Sequence, residues 1–474
     1  MRKNLNLFVL VIIFILLSGF GCKCVSSNTA SLGQDVTLEY WRVWDESETF
    51  QTIINEYNAL HPFVNVNYKL IRYEEYEQKL LEAFASDQVP DIFSIHNTWT
   101  RKYQSRDWIA PMPDTTTMLF TETRGTIKKE LVPVVKTQAS PTLNDIKSEF
   151  VDVVYDDVVI SVKDGQTKQV KNYVYGLPVA VDTLLMFVNR DLLNNAGITD
   201  IPSYWDTDFQ QTVRKLTKQN NKGEIIQSGV ALGGSENIER SSDILSALMM
   251  QNGTEMMDLT FTNVTISKTP DDYENISESP GEDALRFYTD FANPAKEVYC
   301  WNGSMDNSLD LFIRGKLAIM FGYSYMIPQI EAGNPKMNLV VTRFPQIQGN
   351  TPVNFANYWV ESVASKSRHQ NEAWDFILFA TQAQNAINYL DATRKTTALR
   401  SLVNVQKEEL DLEAYVDQVL TAKSWYKGND ANSAEQAMKD MITNVLSGEV
   451  EMRKAIKNTE KKVQQTINAS LLND

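Results

Sequence analysis

Between Val36 and Ile95 the apolar residues change their spacing repeatedly, and this alternation limits the possible folds more than any other feature of the chain. Residues 36–44 (Val-Thr-Leu-Glu-Tyr-Trp-Arg-Val-Trp) are β-prone and predict a strand. Ser47 stands where a helix cap is wanted. Phe50, Ile53, Ile54, Tyr57 and Leu60 follow at helical spacing until His61-Pro62 ends the run. Val64, Val66, Tyr68 and Leu70 then alternate with polar residues, a second strand. Tyr76, Leu80, Leu81 and Phe84 share a helix face, and 89–95 is a short apolar strand after a turn. Strand, helix, strand, helix, strand buries both strand faces only if the strands lie parallel beneath the helices. The fold class is therefore α/β. Ligands of such sheets settle beyond the carboxyl ends of the strands. Here those ends are Trp44-Asp45-Glu46 and His96-Asn97-Thr98-Trp99.

Further along, 151–162 is rich in β-branched residues, Asp164-Gly165 signals a turn, and 168–174 returns, so 150–175 predicts a β-hairpin excursion. Leu184–Val188 reads as another apolar strand, and 339–342 and 360–364 as late ones. Helical spacing predicts helices over 192–196, 209–216, 244–250, 284–291 and 309–313. The last hundred or so residues are expected to be mostly helical, with helices over 372–380, 412–420, 434–446 and 450–467. No internal repeat is visible.

The first segment is an address rather than part of the fold. Arg2 and Lys3 precede an apolar run from Leu5 to Gly19, interrupted by Asn6 and Ser18. That is the pattern of a secretory signal, and the run is short for a membrane span. Small residues before Cys22 resemble a lipobox, which would make Cys22 a lipidated N-terminus. Ordinary signal cleavage near the same place is the other reading, and Gly19 stands where Leu is usual. Residues 1–21 are thus expected to be a lipoprotein signal peptide and 22–35 a flexible tether. The body would be exported, either periplasmic or lipid-anchored on the outer face of the cytoplasmic membrane.

Composition removes several function classes. With 45 Lys and Arg against 60 Asp and Glu, the formal charge is −15, which disfavours a nucleic-acid partner. The 3 Cys and 3 His are too few and too scattered for a disulfide framework or a zinc centre, so no metal and no cofactor is expected. No Gly-X-Ser-X-Gly, His-Glu-X-X-His or P-loop pattern occurs, so the chain is read as not an enzyme.

Blocks along the chain fall in a familiar order. They are Tyr40-Trp41, His61-Pro62 before Val64-Asn65-Val66, and Pro90-Asp91-Ile92-Phe93. Next come Tyr175-Gly176-Leu177-Pro178 with Asp182, then Asn189-Arg190-Asp191-Leu192 and Ala196-Gly197. The run 312–320 (Phe-Ile-Arg-Gly-Lys-Leu-Ala-Ile-Met) and Ser365-Lys366-Ser367 with 372–377 close the series. In this order they resemble the extracellular solute-binding proteins of bacterial ABC importers, in the sugar-binding branch that includes maltose-binding and multiple-sugar-binding proteins. The excursion at 150–175 and the stretch 254–279 depart from the pattern and read as insertions.

The resemblance implies a two-lobe, periplasmic-binding-protein-like fold with three hinge crossings, near Val181, Trp359 and Ala398. Lobe I would be 36–180 plus 360–397, and lobe II 181–359 plus 398–474. It implies a monomer that captures a sugar or oligosaccharide between the lobes and delivers it to a membrane permease. By family position it places Asp45, Glu46, Asn97, Thr98, Asp182, Tyr325 and Trp425 at the ligand. The residues themselves add the tryptophans at strand ends or in polar loops, Trp44, Trp99, Trp301, Trp359 and Trp425, because sugar C–H faces stack on aromatic rings. Arg394 is either a site residue or a surface charge. Trp374, Trp205, Trp108 and Trp41 read as packing residues. The rival readings are a binding protein for a peptide or polyamine, an exported glycan-active enzyme, and a surface adhesin.

Overall fold

The computed structural model describes residues 35–124, 130–163, 167–269 and 278–468. The expected signal peptide, Cys22 and nearly all of the tether lie outside these residues.

The alternating N-terminal pattern folds as expected. Strands β1 (Val36–Arg42), β2 (Val64–Leu70) and β3 (Ile92–His96) run parallel with β1 in the middle. Val36 lies opposite Val64 and Tyr40 opposite Ile92. The crossovers are the helices Ser47–Leu60 and Tyr73–Ala85, which bury Phe50, Ile53, Ile54 and Tyr57, and Tyr76, Leu80 and Phe84. Ser47 does not cap the first helix; Glu46 holds that position and makes no side-chain capping bond.

A strand from far along the chain completes the sheet. Trp359–Ala364 lies antiparallel to β3, with Trp359 opposite His96, and Ile109–Ala110 follows beyond it. Leu177 bridges to Glu361 on this strand. A Cβ at Gly176 would come within 2.5 Å of Val360 Cγ1 and 2.7 Å of the Glu361 carbonyl oxygen. The glycine of Tyr175-Gly176-Leu177-Pro178 is thus required by a close approach of two backbones.

The second sheet runs in the order Lys218–Gln219, Ile225–Val230, Leu317–Gly322, Leu185–Asn189, Leu339–Arg343. Leu317–Gly322 is buried at every position, which suits an apolar central strand. Two apolar cores result. One holds Tyr40, Phe50, Phe93 and Trp374, and the other Phe187, Phe209, Leu245 and Trp301. The chain leaves the first core at Val181 and enters the second at Leu184. It returns between Phe355 and Ala356, and crosses again after Val403, reaching the second core at Leu412. Leu399, Leu402 and Val403 therefore pack with the first lobe, whereas a boundary at 398 would assign them to the second. A small sheet joins the crossings. Asn354–Asn357 pairs antiparallel with Asp182–Thr183 on one side and parallel with Ala422–Lys423 on the other.

Four local features differ from the expectations. Residues 152–158 form a helix, Asp152–Val158, not a strand. Val153, Val154, Asp157 and Val158 recur at helical spacing and are buried, so tertiary packing overrides β-propensity. The hairpin is shorter, Val159–Lys163 with Val170–Val174. A second hairpin, Thr115–Arg124 with Glu130–Ala139, was not anticipated. The expected helix over 412–420 is turns followed by a 3-10 helix, Val416–Thr421. Of the packing tryptophans, Trp374 is fully buried, Trp108 stacks on Phe84 at 4.7 Å, and Trp205 sits edge-on to Phe209 and Phe344.

A buried ion pair ties the lobes together beside the hinge. Asp157, on the helix packed in the first core, meets the ammonium of Lys427, which follows Trp425 and Tyr426 of the second core. Asp157 also accepts from Asn97 Nδ2 at 2.9 Å and from the Tyr358 hydroxyl at 2.7 Å. Nearby, the Arg101 guanidinium of the first lobe lies 5.4 Å from the Phe261 ring centroid of the second. Removing one member of such a pair strands the other charge away from water. Asp157→Ala should therefore cost about 3–5 kcal/mol of stability, read as a lower urea midpoint at unchanged slope. A loss below about 1 kcal/mol, the level of exposed pairs, would show that the pair is solvated.

Candidate functional site

The two lobes enclose a cleft of about 1290 Å³. Its first-lobe wall is built from the carboxyl ends of β1 and β3, where the alternating pattern placed the candidate site. Trp44, Asp45 and Glu46 follow β1, and Thr98 and Trp99 follow β3. Trp359 joins them because its strand pairs with β3. The second lobe contributes Asp182, Tyr325 and Trp425, and Arg394 stands at the rim.

Aromatic rings form a column across the cleft. Tyr73 stacks on Trp44 at 4.8 Å and 26°, and Trp44 on Tyr325 at 5.6 Å and 17°. Tyr325 in turn stacks on Tyr323 at 6.0 Å and 24°. Trp44 belongs to the first lobe and Tyr325 to the second, so this stack spans the gap between them. Trp44 has φ of 77°, in the left-handed region, which costs a bulky residue about 1–3 kcal/mol. Two stacked neighbours, at about 0.5–1.5 kcal/mol each, are of the size needed to offset that strain. A second group centres on Trp359. It meets Trp99 edge-on at 5.6 Å and His96 at 5.6 Å. Burial pulls the His96 imidazole down to about 4, so it is neutral near pH 7.

Charge in the cleft is held in networks. Asp45 is buried and meets Lys395 Nζ at 2.5 Å and Arg42 Nη2 at 3.1 Å, and it accepts from the Tyr389 hydroxyl at 2.8 Å. Burial would raise its carboxyl, but Arg42 and Lys395 hold it below the usual carboxylate value. On the opposite wall Arg240 meets Asp243 at 2.7 Å, and the Tyr323 hydroxyl donates to Asp243 at 2.6 Å. Glu435 lies 3.8 Å from Arg240. Asp182 sits on the first crossing strand. Its carboxylate accepts from the Ser324 amide at 2.9 Å, the Ser324 hydroxyl at 2.6 Å and the Thr183 amide at 2.9 Å. Burial pushes Asp182 up to about 6, and those three hydrogen bonds keep it from rising further.

Two expected site residues lie elsewhere. Trp301 is fully buried in the second core and donates through Nε1 to Asn237 Oδ1 at 3.0 Å. Its polar flanking residues made it look like an exposed loop, but the loop folds inward. Asn97 is buried and donates to Asp157, away from the cleft. Asp45 reaches the cleft but is committed to its ion pairs. Arg394 is exposed at the rim and pairs with Asp411. Trp425 is largely buried at the cleft floor, its indole N–H donating to Ser246 at 3.2 Å. Tyr73, Arg240, Asp243, Lys395 and Glu435 line the cleft without having been singled out. Tyr73 opens a helix and Arg240 precedes one, and neither position carries a local sequence signal for a site.

Tyr325→Ala removes one face of the Trp44 sandwich. Tryptophan emission of the empty protein should shift to the red, and the shift should vanish in a Trp44→Phe background. An equal shift in that background would assign the change to another indole. For Asp182 the folded value of about 6 lies above the free value of about 3.9. The folded protein then holds more protons than the unfolded chain between those values, so the Asp182 contribution to stability falls as pH rises through that window. The melting temperature of the wild type relative to Asp182→Ala should accordingly drop between about pH 4 and pH 6.

The family model for bacterial extracellular solute-binding proteins matches residues 44–387. The multiple sugar-binding protein of Streptococcus mutans serotype c is 21% identical over 387 residues, covering 80% of this chain and 79% of that one. Among solved structures, a cyclo/maltodextrin-binding protein complexed with maltotetraose superposes with a TM-score of 0.68 at 14% identity, covering 92% of this chain and 98% of that one. The cyclic alpha-maltosyl-1,6-maltose binding protein from Arthrobacter globiformis gives 0.67 at 17% identity, covering 93% and 100%. At these identities the likeness establishes the two-lobe fold, and the family match extends over most of the chain: the protein belongs to the bacterial extracellular solute-binding proteins.

Proposed function

We propose that this protein is the capture component of an ABC importer, taking an oligosaccharide into the interlobe cleft and delivering it to a membrane permease. The observation that carries the reading is the lining of the cleft. Flat aromatic faces at Trp44, Tyr73, Tyr325 and Trp359 stand beside polar groups that can accept or donate to hydroxyls, such as Asp182, Thr98 and Glu46. Sugars need this pairing, apolar faces for C–H and charged acceptors for O–H. The volume of about 1290 Å³ exceeds the roughly 300–1,000 Å³ usual for small-molecule pockets, which suits several linked sugar units. The three similar proteins described above are named for sugars, in line with this reading. Closure follows if the ligand binds the closed state better than the open one.

The same reading keeps Thr98, Trp99, Asp182, Tyr325, Trp359 and Trp425 as ligand contacts, with Trp44 and Glu46. It also keeps the exported, monomeric chain anchored through a lipid on Cys22. In a thermal-shift screen, a glycan at 100 times its dissociation constant should stabilise by about 2.7 kcal/mol. The glycan should be recovered unaltered by mass spectrometry, since the role is capture and not cleavage. A screen in which peptides or polyamines stabilise and glycans do not would overturn the sugar assignment. Trp425→Ala should weaken glycan binding by about 1–3 kcal/mol, one to two decades, in calorimetry. Cys22→Ala should abolish lipidation and release the protein from membranes; an unlipidated wild type of the same mass would remove the anchor.

A further inference from the structure

Building on the oligosaccharide reading, we propose that the cleft sorts its solutes by charge: it takes neutral or amine-bearing oligosaccharides and refuses uronates and sulfated glycans. The strongest side-chain recognition of a carboxylate or sulfate comes from a free guanidinium fork or ammonium. Among the described residues the three basic side chains of the inner cleft wall, Arg42, Lys395 and Arg240, are committed to buried carboxylates, and the fourth, Arg394, is an exposed rim cation. Arg42 meets Asp45 and, at 3.2 Å, Glu361. Lys395 is held by Asp45 at 2.5 Å and donates to the Tyr389 hydroxyl at 3.1 Å. Arg240 turns both Nε, at 2.9 Å, and Nη2, at 2.7 Å, onto the Asp243 carboxylate. Arg394 is paired with Asp411 at the rim.

Arg42 is the most fully withdrawn of them. It is 4% exposed, and its Nε and Nη1 atoms are sealed from solvent with no hydrogen-bond partner. Its remaining donors point into protein, not into the cleft, so an incoming anion cannot reach them without dismantling the wall.

The carboxylates of the wall are differently placed. Asp182, Glu239, Glu46 and Glu331 line the cleft, and among the described residues none has a cation within ion-pair distance. Asp182 already collects three donors and remains an acceptor, suited to a hydroxyl or an ammonium. Inside the rim, a uronate would have to break a buried ion pair or lie against these oxygens, and both raise its free energy relative to the neutral sugar. The formal charge of −15 adds a field of the same sign across the whole molecule.

The test is calorimetry on the full-length protein with a tetrasaccharide panel. The probes are maltotetraose, cellotetraose, mannotetraose, the glucosamine tetramer, and the galacturonate and guluronate tetramers, at low and high salt. The best neutral or amine-bearing member should bind roughly tenfold to a hundredfold more tightly than either uronate at low salt. The gap should narrow as salt rises, because screening weakens the repulsion. Glu46→Gln combined with Glu331→Gln should narrow it as well. A uronate binding as tightly as the best neutral tetramer would overturn the charge inference and leave the sugar reading standing. A gap untouched by salt and by the double variant would assign the refusal to shape instead of charge, and would also overturn it. If no tetramer of any charge binds while polyamines or peptides do, the sugar reading itself fails and the inference falls with it.

Discussion

The pairing of the strand Asn354–Asn357 with both Asp182–Thr183 and Ala422–Lys423 is the constraint on which the rest of the molecule depends. Two cores, each closed around its own sheet, are connected through this short ladder. A longer or apolar junction would merge them into one body, and no cleft would exist. Backbone hydrogen bonds are well suited to this work, because they fix register while leaving dihedral freedom at the strand ends, as hinge bending requires. Asp182 lies on one of these strands and also faces the cleft, so a contact with a solute there acts directly on the junction between the lobes.

The cleft concentrates features that ordinary folding would avoid. Trp44, Arg240 and Arg394 all hold left-handed backbone angles, at φ of 77°, 56° and 53°. Asp182 is kept charged near neutral pH although burial raises its carboxyl to about 6. Each of these costs stability. Tyr73 and Tyr325 stack on Trp44 and Ser324 donates to Asp182, all from other elements, while Asp243 meets Arg240 from the first turn of the helix that Arg240 precedes. Strain gathered at one place and countered by the surrounding structure is the pattern of a binding site. Trp44 and Tyr325 stack on one another across the cleft while each keeps a large exposed edge.

The legibility of the chain differs between fold and site. β1, β2, β3 and their two helices could be read from spacing alone, because burial on a sheet or helix face repeats within a few residues. The valines of helix 152–158 carry a β-propensity that packing against the first core overrides, so local pattern points to a strand there. The hairpin from Thr115 to Ala139 gave too little alternation to be noticed; much of its second strand faces solvent. At the site, the strand ends directed attention to Trp44, Thr98 and Trp99, while Trp301 shows that polar neighbours in sequence do not establish exposure. Its indole is enclosed by the second core and its one polar atom is satisfied by Asn237.

By itself the sequence determined the alternation of strands and helices from Val36 to Ile95, the parallel sheet it builds and the strand ends that line the cleft. These depend on interactions between residues a few positions apart, so local pattern carries them. Only the tertiary structure decided which groups face one another. Lys395 neutralises Asp45 from 350 positions away, and Lys427 reaches Asp157 from 270. Tyr325 covers Trp44 only because the lobes bring the ends of different sheets together. Whether a cleft cation is free or already paired is a property of such long-range encounters, and it governs what the cleft can hold.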